Sequence, residues 1–302
     1  MTAKNHFDVI IIGGSYAGLS AAMALGRALR TVLIIDGGLP CNRPTPHSHN
    51  FITQDGEKPH IITDKARSQV LQYPTVSFLT DQAVSGAQTD QGFTIITKTG
   101  ATFHSEKLIF ATGLQDHLPD IKGFSECWGI SAIHCPYCHG YEVKQAKTGI
   151  LANGDVAFHY AQLISNWTNK LAIFTNGIST LTPEQTRKVG KRNIRVVEKE
   201  IMHLDHQNGQ VSRIVFKDLS TYDLKVIYHR ANYEQHCKIP QELGCELTEQ
   251  GVLKVDMFQK TTVDNVFACG DNANPLRSVA CAVAAGNVAG AALNNSLTEA
   301  EF

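Results

Sequence analysis

Apolar positions along this chain fall into short β-branched runs, each closed by a turn of small residues. Residues 7–12 form one such run, apolar throughout as a strand buried on both faces requires. Gly13-Gly14-Ser15-Tyr16-Ala17-Gly18 follows, then a helix over 19–30 rich in Ala and Leu, then a strand over 31–36 that ends at Asp36. A further strand, 107–110, leaves through Ala111-Thr112-Gly113. The same rhythm recurs mid-chain, with a strand over 148–151, a turn over 152–157, a helix over 158–167 and a strand over 171–175. Alternation and β-branching predict strands at 193–198, 211–216 and 223–229. Near the end, 262–269 reads as a strand running into Gly270-Asp271. Arg277-Ser278-Val279-Ala280 then opens a small-residue helix reaching about Leu297.

Strand, glycine turn, helix, strand and terminal acid describe a nucleotide-binding unit. The turn brings backbone N–H groups and the positive end of a helix to a pyrophosphate. Asp36 lies 18 residues beyond Gly18, close to the spacing that reaches a ribose hydroxyl, and Gly37 follows it. Ser15 stands where a second glycine is usual, and its small side chain still lets the backbone approach phosphate. The doubled pattern predicts an α/β protein with two Rossmann-like, three-layer ββα domains. The first is discontinuous, built from 1–117 and 243–302, and the second is an insert over 118–242. Pro119 to Gly123 and Ile239-Pro240 to Gly244 mark the crossings.

Within the insert lies Cys135-Pro136-Tyr137-Cys138-His139-Gly140-Tyr141-Glu142. Two cysteines at this spacing suit a reversible redox disulfide, and a following helix start would lower a thiol pKa. Cys-x-x-Cys-His also matches c-type haem attachment, which needs export. With His134 it offers four zinc donors, but no second pair is present to close a structural site. His139 is a candidate general acid–base for a thiol. His47-Ser48-His49, in the loop after the second strand, is a candidate proton relay, and Asn42-Arg43 in the same loop could reach cofactor phosphates.

Composition narrows the classes. The 302 residues suit two domains, and 43% apolar with 18% charged residues is ordinary for a globular enzyme. A net charge of −1 offers no surface to nucleic acid. No secretion signal is read in the polar start, and no apolar run reaches the roughly 18 residues of a membrane span. A cytoplasmic protein is expected, with its other six cysteines as small buried thiols.

The N-terminal glycine fingerprint, the Ala-Thr-Gly exit, the mid-insert CxxC and the Gly-Asp plus Arg-x-x-Ala ending together resemble the small thioredoxin-reductase-like flavoproteins, over nearly the whole chain. The Cys-Pro-Tyr-Cys-His-Gly-Tyr-Glu string resembles the branch containing dithiol oxidases of the gliotoxin and holomycin type; typical thioredoxin reductases carry Asp where this chain has His139. The resemblance implies FAD bound by Gly13, Gly14, Ser15, Tyr16, Ala17, Gly18, Asp36, Gly37, Asn42, Arg43, Ala111, Thr112, Gly113, Gly270, Asp271, Arg277, Ser278 and Val279. It also implies catalysis by Cys135, Cys138 and His139. Cys138 would be the sulfur that meets the flavin and Cys135 the one that exchanges with substrate. A homodimer and a rotating insert are further family expectations.

The second nucleotide turn departs from the family. Ala152 replaces its first glycine, and Thr175-Asn176-Gly177 stands where NADPH-using relatives place a basic cluster for the 2′-phosphate. Losing two charge-assisted contacts costs about 3–6 kcal/mol, on the order of 10² to 10⁴ in affinity. Arg187, Arg192 and Arg195 are the nearby cations that could compensate. Poor NADPH use and oxidation of a small-molecule dithiol by O₂ are expected. The alternatives are an NADPH-dependent reductase of thioredoxin or a small disulfide, and a non-catalytic flavin sensor.

Overall fold

The structure is a computed structural model and describes residues 5–302; the polar start read at residues 1–4 lies outside the described residues. The chain forms two compact units. Among the described residues, one comprises 5–43, 59–115 and 233–302; the other comprises 44–58 and 116–232. The divisions differ from the expected 117/118 and 242/243. Segment 44–58, expected with the discontinuous domain, packs as part of the insert unit. The chain crosses through Leu114–His117 and returns through Asn232–Gln235, and these two strands pair with each other.

The discontinuous unit is built on one sheet, ordered Val76–Thr80, Val32–Asp36, His6–Ile12, Thr102–Phe110, Gly92–Thr97, Ala83–Thr89, with Val266–Ala268 also on Thr102–Phe110. Its central pairs are parallel and the hairpin of Ala83–Thr89 and Gly92–Thr97 is antiparallel. Val9 to Ile11, Leu108 to Phe110 and Ala268 are essentially inaccessible, which explains why those runs lack polar alternation. Helix Tyr16–Arg27 begins three residues earlier than the sequence pattern suggested, because the turn's last small residues already wind. It packs against helix Val279–Glu301 at backbone distance: a Cβ on Gly286 would sit 2.1 Å from Ala17 O, and one on Gly290 would sit 2.6 Å from Ala21 O. The small-residue composition of both helices is what permits this approach. The predicted strand over 262–269 shrinks to Val266–Ala268. Helix Pro59–Val70 and the 83–97 hairpin carry no strong local signal and were not anticipated.

The insert unit holds a parallel sheet ordered Arg195–Val197, Leu171–Phe174, Thr148–Leu151, Val226–His229, Ala132–Ile133. An antiparallel sheet of Ile201–Gln207, Gln210–Phe216 and Thr221–Asp223 packs through a shared core of Leu204, Ile214, Phe216 and Phe174. The single strand expected over 223–229 is two strands. Thr221–Asp223 pairs antiparallel with 213–215, and Val226–His229 then joins the parallel sheet. Helix Gly154–Ile164 starts four residues earlier than expected because Asn153 caps it. Among the described residues, no helix is long and apolar enough to cross a membrane.

Candidate active site

In the discontinuous unit the glycine turn is fixed by close approach. Gly13 has φ +105°, and a Cβ there would lie 2.2 Å from Ala111 O; a Cβ on Gly18 would lie 1.8 Å from Gly13 O. Asp36 accepts from Gly14 N at 2.9 Å and from Gly38 N at 3.1 Å, so its carboxylate borders the turn. Ser15 occupies the N-cap of helix Tyr16–Arg27 without its side chain capping it. The first-turn N–H groups thus have no side-chain acceptor from the cap, which suits an external anion. Gly270 has φ +87°, and a Cβ on it would meet the Ala17 Cβ at 2.9 Å. Asn272, fully buried, donates to Phe110 O at 2.8 Å and to Thr112 Oγ1 at 3.3 Å. It ties the Gly-Asp turn to the Ala111-Thr112-Gly113 exit, and its own Oδ1 is buried without a hydrogen-bond partner. Arg277 Nε donates to Asp271 Oδ2 at 3.4 Å, and Ser278 caps the last helix through Cys281 N. Glycines with no room for a Cβ, a helix start without a side-chain cap and a bordering carboxylate are the kind of residues that fit FAD. Asn42 donates to Tyr16 OH at 3.2 Å, while the Arg43 guanidinium is turned onto Leu39 O and Pro40 O.

The second turn is filled by its own side chain. Asn153 Oδ1 accepts from Gly154 N at 2.9 Å and from Thr180 N at 2.8 Å, and its Nδ2 donates to Ile178 O at 2.8 Å. Gly154 has φ +54°, and a Cβ there would meet Thr180 Oγ1 at 2.9 Å. Loop 176–181 is thereby stitched over the helix start. Asn176 Oδ1 accepts from Ile201 N, and Glu198 puts a carboxylate on Ser179 N at 2.7 Å. The register puts Arg195 at the start of its strand, level with Ala172 and Gly149, whereas this turn follows the strand end at Leu151. Arg192 is the C-cap of helix Pro183–Lys191, just before that strand start.

Cys135 and Cys138 form a disulfide with Cα atoms 5.3 Å apart. Pro136–His139 is a single helical turn, and Cys135 Sγ accepts from Cys138 N at 3.1 Å. Gly140 follows because a Cβ would meet Pro136 O at 2.4 Å and the Trp167 indole at 2.9 Å. Tyr137 stacks edge-on to Trp167 yet is 63% exposed, and Tyr141 is 68% exposed under Lys144 Nζ. His139 is half-buried. Burial pushes its pKa below the ordinary 6.5, His49 pushes it the same way, and Glu142 opposes both. His49 Nδ1 lies 3.6 Å from Glu142 Oε1 and 3.7 Å from Asp55 Oδ1.

A family model described as pyridine nucleotide-disulphide oxidoreductase matches residues 7–286. The chain belongs to that family. Among its relatives, "Thioredoxin reductase tcpT" of Claviceps purpurea is 33% identical, over 96% of this chain and 94% of that protein. An oxidoreductase of Agrobacterium tumefaciens has a solved structure with TM-score 0.91 at 37% identity, covering 97% of this chain and 99% of that one. The crystal structure of HlmI superposes with TM-score 0.94 at 30% identity, covering all of this chain and 95% of that one. The protein is therefore a flavin-dependent disulphide oxidoreductase of thioredoxin-reductase type, with two Rossmann-like units. This oxidoreductase departs from the sequence expectation at Cys41, which is exposed rather than buried, its Sγ 3.9 Å from Asp271 Oδ2. Cys269 shows the expected behaviour, since burial pushes its thiol up to about 12. Sequence reasoning missed Asn272, Tyr16 as a clamp, Asn153 and Glu142. Each acts through a tertiary contact that no local motif announces.

Proposed function

We propose that this oxidoreductase is a dithiol oxidase. It closes a disulphide in a small dithiol through Cys135–Cys138 and passes the electrons by way of FAD to O₂. The unit of 5–43, 59–115 and 233–302 acts as the FAD domain, and the glycine turn, Asp36, Asp271 and the start of the last helix hold the cofactor. Bound FAD would supply a two-electron acceptor for the reduced Cys135–Cys138 pair, with O₂ as the final oxidant and H₂O₂ as its product. A substrate thiolate attacks Cys135, forming a mixed disulphide while Cys138 departs as a thiolate. The second substrate thiol then attacks the substrate sulfur of that bond, releases Cys135 and leaves as the cyclic disulphide. Two substrate S–H bonds become one S–S bond, and the protons must be carried away. His139, kept neutral by burial, accepts the first.

The observation that carries this reading is the second nucleotide turn. Its helix start is satisfied by Asn153 and crowded by Thr180. The strand-end carboxylate of Glu198 replaces a basic clamp. A dinucleotide phosphate would have to displace that side chain and would meet a like charge, and both disfavour binding. The test is anaerobic mixing of the FAD holoenzyme with NADPH and, separately, with a dithiol. Flavin bleaching by the dithiol, with recolouring on admitting air and no comparable bleaching by NADPH, is expected. Rapid bleaching by NADPH would return the protein to the reductase class.

A further inference from the structure

Segment 44–58 is held between two feet in the FAD unit. Tyr16 OH accepts from Asn42 Nδ2 and donates to Pro59 O, each at 3.2 Å, so one hydroxyl clamps the chain on both sides of the loop. The loop itself packs as part of the insert unit. Pro44 and Thr45 lie against the turn at Gly129, where a Cβ would come within 2.9 Å of Pro44 Cγ. An antiparallel bridge, with Ser48 N donating to Glu57 O and Gly56 N donating to Ser48 O, both at 2.8 Å, closes the loop. Asp55 is fixed by accepting from Asn50 N at 2.7 Å. The ring so presented is His49, its side chain only 19% exposed, with its Nδ1 within 4 Å of both Asp55 and Glu142 of the CxxC segment.

We propose that His49 is a positioning residue for the dithiol step. It pairs with Glu142, three residues beyond His139, and so holds a His–carboxylate couple against the CxxC segment. The proposal rests on His139 acting as the proton acceptor. The charged and titratable groups around His139 are His49, with His47 and Asp55 behind it on the loop, and Glu142 on its own segment. Beyond Glu142 lies buried Tyr228, which that carboxylate influences. His49, when protonated, opposes a second positive charge on His139, whereas Glu142 favours one. The two neighbours act with opposite sign, and a merely structural role for either would not produce that signature.

The experiment measures kcat/KM for dithiothreitol across pH in the FAD holoenzyme and its variants, each profile divided by the fraction of dithiothreitol present as thiolate so that only the enzyme's own limb remains. Anaerobic reduction of Cys135–Cys138, followed by alkylation and mass spectrometry, gives a second readout independent of flavin colour. The wild type shows an acid limb below which the rate falls tenfold per pH unit. His49→Gln moves that limb to higher pH, and Glu142→Gln moves it to lower pH. His49→Lys, which retains a cation, holds the limb at or below its wild-type position. His139→Gln removes the limb. If His139→Gln keeps the limb, the assignment of His139 fails and the proposal with it. If the limb depends on His139 but stays fixed in His49→Gln, or moves the same way in both neighbour variants, the role of His49 alone is overturned.

Discussion

Cys135 and Cys138 share one helical turn, yet their surroundings differ. Cys135 Sγ accepts a backbone N–H, while Cys138 adjoins half-buried His139. If Cys138 is the sulfur that meets the cofactor, Cys135→Ser leaves a free Cys138 thiolate and a long-wavelength thiolate–flavin absorption. Cys138→Ser then lacks that band, and the opposite spectra would exchange the two roles. Burial disfavours the imidazolium of His139, so its pKa lies below 6.5. Dithiol turnover, corrected for the substrate's own thiol ionisation, should fall when acid protonates this base. A corrected profile whose acid limb lies above the ordinary histidine value would contradict this environment. These candidates were legible in the sequence because each is local: the spacing of two cysteines, one histidine beside them, and one glycine turn with its acid. His49 was read as part of a candidate proton relay, but its pairing with Glu142, 93 residues away, was not.

The two helices that frame the cofactor cradle meet through glycines. Gly286→Ala would drive a methyl group into Ala17 O and separate helices Tyr16–Arg27 and Val279–Glu301. A loss of about 1–3 kcal/mol in denaturant stability, with weaker FAD retention, is expected from such overpacking. Wild-type stability with full flavin content would show the contact to be soft. At the second turn, Asn153→Ala removes an N-cap and three hydrogen bonds. It should cost about 0.5–2 kcal/mol and still not confer NADPH binding, since Arg192 and Arg195 stand where their strand starts and the turn follows the strand ends. Isothermal titration of that variant with NADPH checks both halves of the statement. Why some elements escaped the sequence is clear from particular cases. Residues 223–229 read as one β-branched run, but the chain changes partner at Leu224–Lys225, from an antiparallel to a parallel neighbour. Periodicity reports the strand character of such a run and carries no record of its partner. Helix Gly154–Ile164 began early because a cap made with Thr180, 27 residues on, fixes its start.

At the scale of the molecule, the family's doubled nucleotide fold is retained while the two halves differ in what they offer. One half presents a glycine cradle whose cap leaves the helix start to an outside anion. The other closes its helix start with its own amide and carries an acid at the strand end. The sequence showed the worn second turn as an absence of glycine and arginine. The structure adds that the place is taken by Asn153 and Thr180, which substitution patterns alone do not reveal. Domain limits were less legible, because the loop 44–58 belongs by packing to a unit from which its sequence neighbours are excluded. The central claim, that electrons enter from a dithiol and leave to O₂, is tested most directly with an oxygen electrode on the FAD holoenzyme. Added dithiol should drive uptake of one O₂ per disulphide formed, with uptake abolished in Cys135→Ser and negligible when NADPH replaces the dithiol. No uptake with dithiol, alongside NADPH-driven reduction of an added disulphide, would contradict the account.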